Sequence, residues 1–402
     1  MIDETDVAIV GGGPAGAALA TRLAGLGVRA TLFERSPQPK WRACGVFSSP
    51  LTARRLIELG LTAGRVADLS RQISGLRLHT TGGADCELVY QHGHARGFDR
   101  VRLDESLLAR AQDAGADIRT GVVVRSVDLP HSAGRPCRLQ VSQTGTDRDP
   151  ESRTVQARLV VGADGPASLV ARTAGVTLAQ RWLGKAGITF HRADPDAAPP
   201  AEAMTGTFVF GKGWYVGIAP VPRGRVNVGI VVPAVYLAAP LEATIARLLA
   251  QFPSPHQRWW AATPTDSYVA AGSLAHRVKR ASGPGFLLVG DAAGFIDPLT
   301  GDGLHRALVS SELAAESITR WLRGDAAALD DYDRHLRARF RNKDVVSWVL
   351  QGFLAQPALL DYAVRRLASR RRQREILTLV LTDQVPASRG LDPRFLARLL
   401  TP

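Results

Sequence analysis

The sequence predicts an α/β protein in which a dinucleotide-binding unit is interrupted by a second β-sheet and followed by a helical C-terminal segment. Three observations predict it. An apolar run, "DVAIV", passes through "GGGPAG" into a small-residue stretch and then into "VRATLFE", the pattern of strand, helix and strand. Residues 181–270 carry the runs "GTFVF", "WYVGIAP" and "RVNVGIVV" between glycine- and proline-bearing turns, which reads as a separate sheet. From Leu304 onward Leu304, Ala307, Leu308, Ala315, Ile318 and Trp321 recur at helical spacing.

Taken in chain order, "AGAALATRLAGLG" reads as a helix ending at Gly27, and the strand after it ends at Glu34. "RVRLDESLLARAQDAG" reads as a second helix, with Leu103, Leu107, Ala111 and Ala114 on one face and Gly115 placed to cap it. "GVVVRSVDL", "CRLQVSQ" and "TVQARLVVGADG" suggest a small antiparallel meander that returns to the main sheet. A helix over residues 240–260 interrupts the second sheet, and "GFLLVGD" restores the buried-strand pattern. The nucleotide-binding unit is therefore expected to be discontinuous, over residues 1–75, 99–180 and 271–325. The second sheet takes 76–98 and 181–270, and helices fill 326–402.

With 402 residues, 45% hydrophobic and 22% charged, the chain has the composition of an ordinary globular protein with a sizeable interior. The net charge of +13 comes mostly from arginine, but the arginines are scattered and few aromatics interleave with them, so no nucleic-acid partner is expected. Cys44, Cys86 and Cys137 are too few and too far apart for a disulfide framework or a zinc site. No signal-like start and no spanning apolar run is seen, and a cytoplasmic location is expected. Near the end, "RRLASRRRQREILTLVL" sets a basic cluster beside an apolar stretch. It reads as a solvated helix face or as a peripheral contact with an acidic membrane surface.

The chemistry begins at Gly11, Gly13 and Gly16. Gly11 permits the tight turn, Gly13 lets a pyrophosphate approach the backbone, and Gly16 lets the helix pack close to the strand. Pro14 and Ala15 open that helix, whose N-terminus faces the phosphates with free N–H groups. Glu34 stands where a carboxylate can bind ribose hydroxyls. This fingerprint serves NAD and FAD alike. Asp164-Gly165 and Gly290-Asp291, each after a buried strand, add two further ordered motifs.

Together these motifs resemble the FAD-dependent oxidoreductases of the aromatic-hydroxylase fold, especially the geranylgeranyl reductase-like branch, from Val7 to about Leu322. The resemblance implies a Rossmann-like FAD-binding domain with an inserted mixed or antiparallel β-sheet substrate domain and a C-terminal helical segment. It places the glycine motif on the pyrophosphate, and Asp164 and Gly165 near the pyrophosphate and the path of a nicotinamide cofactor. Gly290 and Asp291 fall on the ribityl chain, and Arg100 just before a helix contacts the cofactor. Arg35, Arg42, Cys44, Gly45, Val123 and Pro298 join the cofactor set. Gly301 and Gly303 let the backbone pass beside a flat ring, and the helix opening near Leu304 points its positive end at the pyrimidine side. His305 either joins that environment or lies on the helix surface.

In "WRACGVFSSP", Cys44 and Gly45 match the reductase branch and Val46 departs from it. Cys44 then faces the substrate side of the flavin, or is a small buried hydrophobe. "GWYVGIAP" resembles the branch's Tyr-x-Trp-x-Phe-Pro signature, with Tyr215 and Pro220 in register but Gly217 and Ala219 in place of two large aromatics. Cys44, Trp214 and Tyr215 are the catalytic candidates. The weakened aromatic signature favours a monooxygenase that hydroxylates or epoxidises a hydrophobic or aromatic small molecule, with FAD, NADPH or NADH, and molecular oxygen. Reduction of isolated prenyl-type double bonds is the alternative, with halogenation or non-catalytic flavin or lipid binding behind it. The chain is expected to act as a monomer or homodimer.

Overall fold

The computed structural model describes residues 3–400, apart from residues 131–134, 145–151, 180–183, 195, 198, 200–202, 253–257 and 273. Strand Asp3–Val10 lies at the centre of the main sheet, parallel to Ala30–Glu34 on one side and to Arg153–Gly162 on the other. Phe286–Leu288 and Asp117–Thr120 extend the parallel array at its two flanks. The central strands read as apolar runs because both faces are covered, whereas Asp117–Thr120 at the edge is polar and partly exposed. Val7, Leu32, Val160 and Leu287 share one core with residues of helices Pro14–Gly25, Arg100–Asp113 and Gly303–Leu322. Val122–Asp128, Cys137–Gln143 and Arg153–Gly162 form the antiparallel meander, and its last strand returns to the parallel sheet.

The second sheet runs in the order Val269–Ala271, Lys185–Ala193, Arg225–Pro233, Trp214–Val221, Met204–Gly211, Ser70–Thr80, Ala95–Phe98, Phe47–Ser48, with Asp85–Val89 added beside Ser70–Thr80. All pairs are antiparallel except Met204–Gly211 with Ser70–Thr80. Period-two alternation gives the sheet two apolar faces. On one, Phe190, Trp214, Val216 and Ile230 pack with helix Leu241–Leu249. On the other, Leu76, Phe210, Tyr215 and Val231 form a cluster with Leu354, Val364, Leu367 and Phe395 of the C-terminal helices.

The chain enters this second sheet earlier than expected. Phe47–Ser48 and Ser70–Thr80 already belong to it, so a division at residue 75 cuts through a continuous strand. Residues 180–183, where the next crossing is expected, lie outside the described residues. Helices Ala328–Ala355, Pro357–Ser369, Arg371–Leu381 and Pro393–Leu400 complete the chain. Among the described residues no helix is long and apolar enough to cross a membrane.

Candidate functional site

A cavity of about 950 Å³ lies between the main sheet's strand ends and the second sheet. Its first wall is mostly main chain. Gly11 has φ +106°, and a Cβ there would lie 2.5 Å from the Ala163 carbonyl oxygen. A Cβ on Gly16 would lie 2.0 Å from the Gly11 carbonyl oxygen, so this glycine sets helix-to-strand packing and does not line the cavity. Gly13 has open space where a side chain would be, and with Pro14 and Ala15 it faces the cavity. No side chain caps this helix at Gly13, which leaves its first N–H groups available for an anion.

Glu34 lies in the same wall. Its Oε2 accepts from the Gly12 N–H at 2.7 Å, while Oε1 accepts from Ser36 N–H and from Arg42, each at 2.9 Å. Burial pushes its carboxyl up, but these donors outweigh it and hold the group below its usual range. Arg35, Arg42 and Val123 stand beside it on the cavity surface. Asp164 Oδ2 caps helix Leu169–Thr173 by accepting from Leu169 N–H at 2.7 Å, yet its Oδ1 is buried without a partner. Gly165 follows with φ +78°.

Gly290 and Gly301 both need positive φ, +59° and +67°, and a Cβ on either would strike a neighbour, Ala15 or Phe47. Asp291 sits at this turn. Burial raises its carboxyl to about 6 against the pull of Arg306 and Arg100. Arg100 pairs with Asp104 at 3.2 Å across one helical turn. Beside them burial raises the Cys44 thiol despite Arg100, so the sulfur keeps its proton. Cys44, Gly45, Pro298, Gly303 and Leu304 all line the cavity.

The facing wall comes from the second sheet. Gly187, Gly217 and Gly229 leave its centre without side chains, and Phe208, Leu76 and Val231 surround them. Tyr215 donates from its hydroxyl to Asp297 Oδ1 at 2.5 Å; Lys185 Nζ lies 3.4 Å from Asp297 Oδ2 and also bonds to Gln351. Asp297 additionally accepts from Leu299 N–H at 3.0 Å, so one carboxylate ties the sheet to the turn carrying Pro298 and Gly301.

Two expectations need correction. Trp214 does not reach the cavity: it is on the opposite face of the sheet from Tyr215, stacked on Phe252 at 6.2 Å, because adjacent strand residues point to opposite sides. His305 is neither in the cavity wall nor on the helix surface. It is 2% exposed, with both ring nitrogens unpartnered and burial lowering it to about 4. The helix start it follows is anchored instead by Asp302, 3.2 Å from Lys343 of helix Ala328–Ala355.

Sequence reasoning missed Asp104, Lys185 and Asp297, and a polar corner made by Thr189, His191, Asn227 and Asp266. For Asp297 a signal existed, the Asp-Pro pair that opens "DPLTG". For Asp104 the signal was its i,i+4 spacing from Arg100 on one helix. Thr189, His191 and Asn227 come together through strand register, while Lys185 and Asp266 reach their partners only through tertiary packing.

An unpaired Asp164 oxygen, an uncapped helix start and positive-φ glycines in contact with their neighbours fit an extended phosphorylated dinucleotide. The FAD-binding domain model matches residues 4–347. A menaquinone reductase of Mycolicibacterium smegmatis is 28% identical over 333 residues, covering 79% of this chain and 77% of that protein. Digeranylgeranylglycerophospholipid reductase 1 of Methanopyrus kandleri is 30% identical over 364 residues, 84% of this chain and 88% of that one. Among solved structures, a geranylgeranyl bacteriochlorophyll reductase-like protein of Thermoplasma acidophilum superposes with a TM-score of 0.80 at 22% identity, over 98% of this chain and 99% of that chain. With the fold, the motifs and these relatives in agreement, the chain belongs to the FAD-binding-domain family, as an FAD-dependent oxidoreductase of the geranylgeranyl reductase-like branch.

Proposed function

We propose that this protein is a reductase that saturates an isolated carbon–carbon double bond in an isoprenoid chain. The observation that carries this reading is the cavity's sheet wall, where Gly187, Gly217 and Gly229 form a flat, apolar floor opposite the dinucleotide-binding turns. A slender hydrocarbon chain can lie along such a floor. The two curated relatives are named as reductases, and the compounds in their names carry isoprenoid chains, which supports reduction over the oxygenation expected from the missing aromatics.

FAD bound here would supply hydride transfer. The protein's own groups would do the rest. The Gly11–Gly16 turn and its helix N-terminus hold the pyrophosphate, Glu34 the ribose and Asp291 the ribityl hydroxyls. The N-terminus of helix Gly303–Leu322, whose first residues line the cavity, would stabilise negative charge on a bound flavin. Cys44 holds a proton at Sγ on the cavity surface, where one carbon of the double bond receives it as the other receives the hydride; water reprotonates the thiolate afterwards. Tyr215 has committed its hydroxyl hydrogen to Asp297, so it orients and packs. The apolar floor excludes water from the reacting carbons.

The test is anaerobic turnover of the FAD-loaded enzyme with geranylgeranyl-bearing quinones and glycerolipids. Dithionite supplies the electrons, and NADH and NADPH are then offered in turn. A product heavier by two hydrogens per reduced bond is expected. No anaerobic product, with labelled oxygen entering the substrate in air, would overturn the reading in favour of a monooxygenase. Cys44→Ala is expected to keep its flavin and lose about 100-fold in turnover, the usual scale for a positioned acid.

A further inference from the structure

One end of the cavity's sheet wall is polar, and the double-bond chemistry does not use it. Gly187, Thr189 and His191 alternate along a single strand and share a face. Asn227 is paired directly opposite His191, and its Nδ2 donates to Thr189 Oγ1 at 2.9 Å. Thr189 and Asn227 line the cavity. In the register they stand one and two rows from Tyr215, so Asn227 is ~13 Å along the sheet from the Tyr215 end.

Behind them His191 is 4% exposed, and Asp266 holds it twice: Oδ1 accepts the backbone N–H at 2.7 Å and Oδ2 lies 2.5 Å from Nδ1. A carboxylate can only accept, so the imidazole hydrogen is on Nδ1 and Nε2 presents a lone pair. Burial outweighs Asp266 and keeps the ring below its ordinary range, hence uncharged at neutral pH. Nε2 is buried with no partner. Trp41, which lines the cavity, covers this ring at 4.4 Å between centroids, and its indole Nε1 is likewise buried without a partner. One orphan is an acceptor and the other a donor. The remaining charges beside the ring, Arg225 and Asp99, are paired with each other at 2.8 Å.

We infer that this corner is a subsite for a hydroxyl group on the substrate's head, with His191 Nε2 accepting its hydrogen and Trp41 Nε1 donating to its oxygen. A hydroxyl, with one O–H donor and free lone pairs, satisfies both orphans at once. A carbonyl would set its lone pairs against Nε2, and an anion would meet Asp266. Because Nε2 is closed off, the indole turns aside as the head enters. The assignment rests on the reductase reading only for the isoprenoid nature of the tail.

The test is equilibrium binding to the oxidised FAD-loaded enzyme, read from the shift of the flavin absorption band, with 2-geranyl-1-naphthol and its O-methyl ether as probes. The naphthol is expected to bind on the order of tenfold more tightly than the ether, the scale of one buried hydrogen bond. His191→Phe should abolish that preference and leave ether binding unchanged, which also shows the variant is folded. His191→Gln, which keeps an acceptor, should restore part of it. Trp41→Phe should weaken it, and Asp266→Asn, acting only through the ring's tautomer, should weaken it too. Equal binding of the two probes, a preference surviving in His191→Phe, or binding of neither probe would overturn the proposal. Since no turnover is read, a chain that oxygenates would still show the preference, and the two readings fail separately.

Discussion

The cavity wall that carries the glycine turns, where we place the flavin, is shaped by main chain, and the sheet wall opposite it by the alternation of side chains. On the flavin wall, Gly11, Gly165, Gly290 and Gly301 hold positive φ, and the ligand-facing groups are N–H donors and carboxylates fixed by turns a few residues long. On the sheet wall the same role falls to residues far apart in the chain, such as Gly187, Tyr215 and Gly229, brought level by strand register. At Gly11, Gly16, Gly290 and Gly301 the first wall therefore has no room for a Cβ. The second can be remodelled one residue at a time.

Gly16→Val breaks the flavin wall most completely. With 2.0 Å between its Cβ and a carbonyl oxygen, the variant is expected to purify without FAD and to lose roughly 3 kcal/mol or more of stability. Flavin absorbance and a thermal melt check both, and a normally yellow protein would contradict the packing described.

Asp291 sharpens the same wall through pH. Its carboxyl is raised from 3.8 to about 6, so the folded protein binds that proton more tightly than the unfolded chain does. Its contribution therefore favours folding toward low pH and is lost as pH rises from about 4 through about 6. In FAD-free protein, Asp291→Asn should gain about 3 kcal/mol at pH 7 and almost nothing at pH 4, while binding FAD more weakly. Melting curves across that range read the difference.

On the sheet wall, Gly229→Leu adds bulk where a Cβ meets nothing nearer than 3.8 Å. Flavin content and fold should survive, while KM for an isoprenoid substrate rises roughly tenfold, a scale typical of small changes in apolar pockets. Trp214→Phe is the smallest expected effect. Since Trp214 packs on Phe252 behind the sheet, the variant should lose about 1 kcal/mol of stability and keep kcat/KM. A large catalytic loss would return Trp214 to the cavity.

Much of the flavin wall was legible because each part is local. A glycine that must take positive φ, a helix that follows it and a carboxylate that ends the next strand announce themselves within 25 residues. The expected cofactor residues from Gly11 to Leu304 line the cavity, with Gly16 set just behind it. The sheet wall was legible only as strands. "GWYVGIAP" could not say which of Trp214 and Tyr215 faces inward, since alternation fixes only that they differ. Its neighbours decided: the face joining Leu76 and Phe210 took Tyr215, and the face packed on Leu249 and Phe252 took Trp214.

The chain's own order of residues determined the α/β class, the glycine turn, Glu34, and the Asp164 and Asp291 motifs, because steric limits on φ and short hydrogen-bonded turns act between near neighbours. Tertiary structure alone decided that Asp297 would hold Tyr215, that Lys343 would anchor the start of helix Gly303–Leu322 at Asp302, and that His191 would meet Trp41. Those pairs lie 41 to 150 residues apart, and only the packing of one sheet and its helices against another brings such groups within hydrogen-bonding or stacking distance.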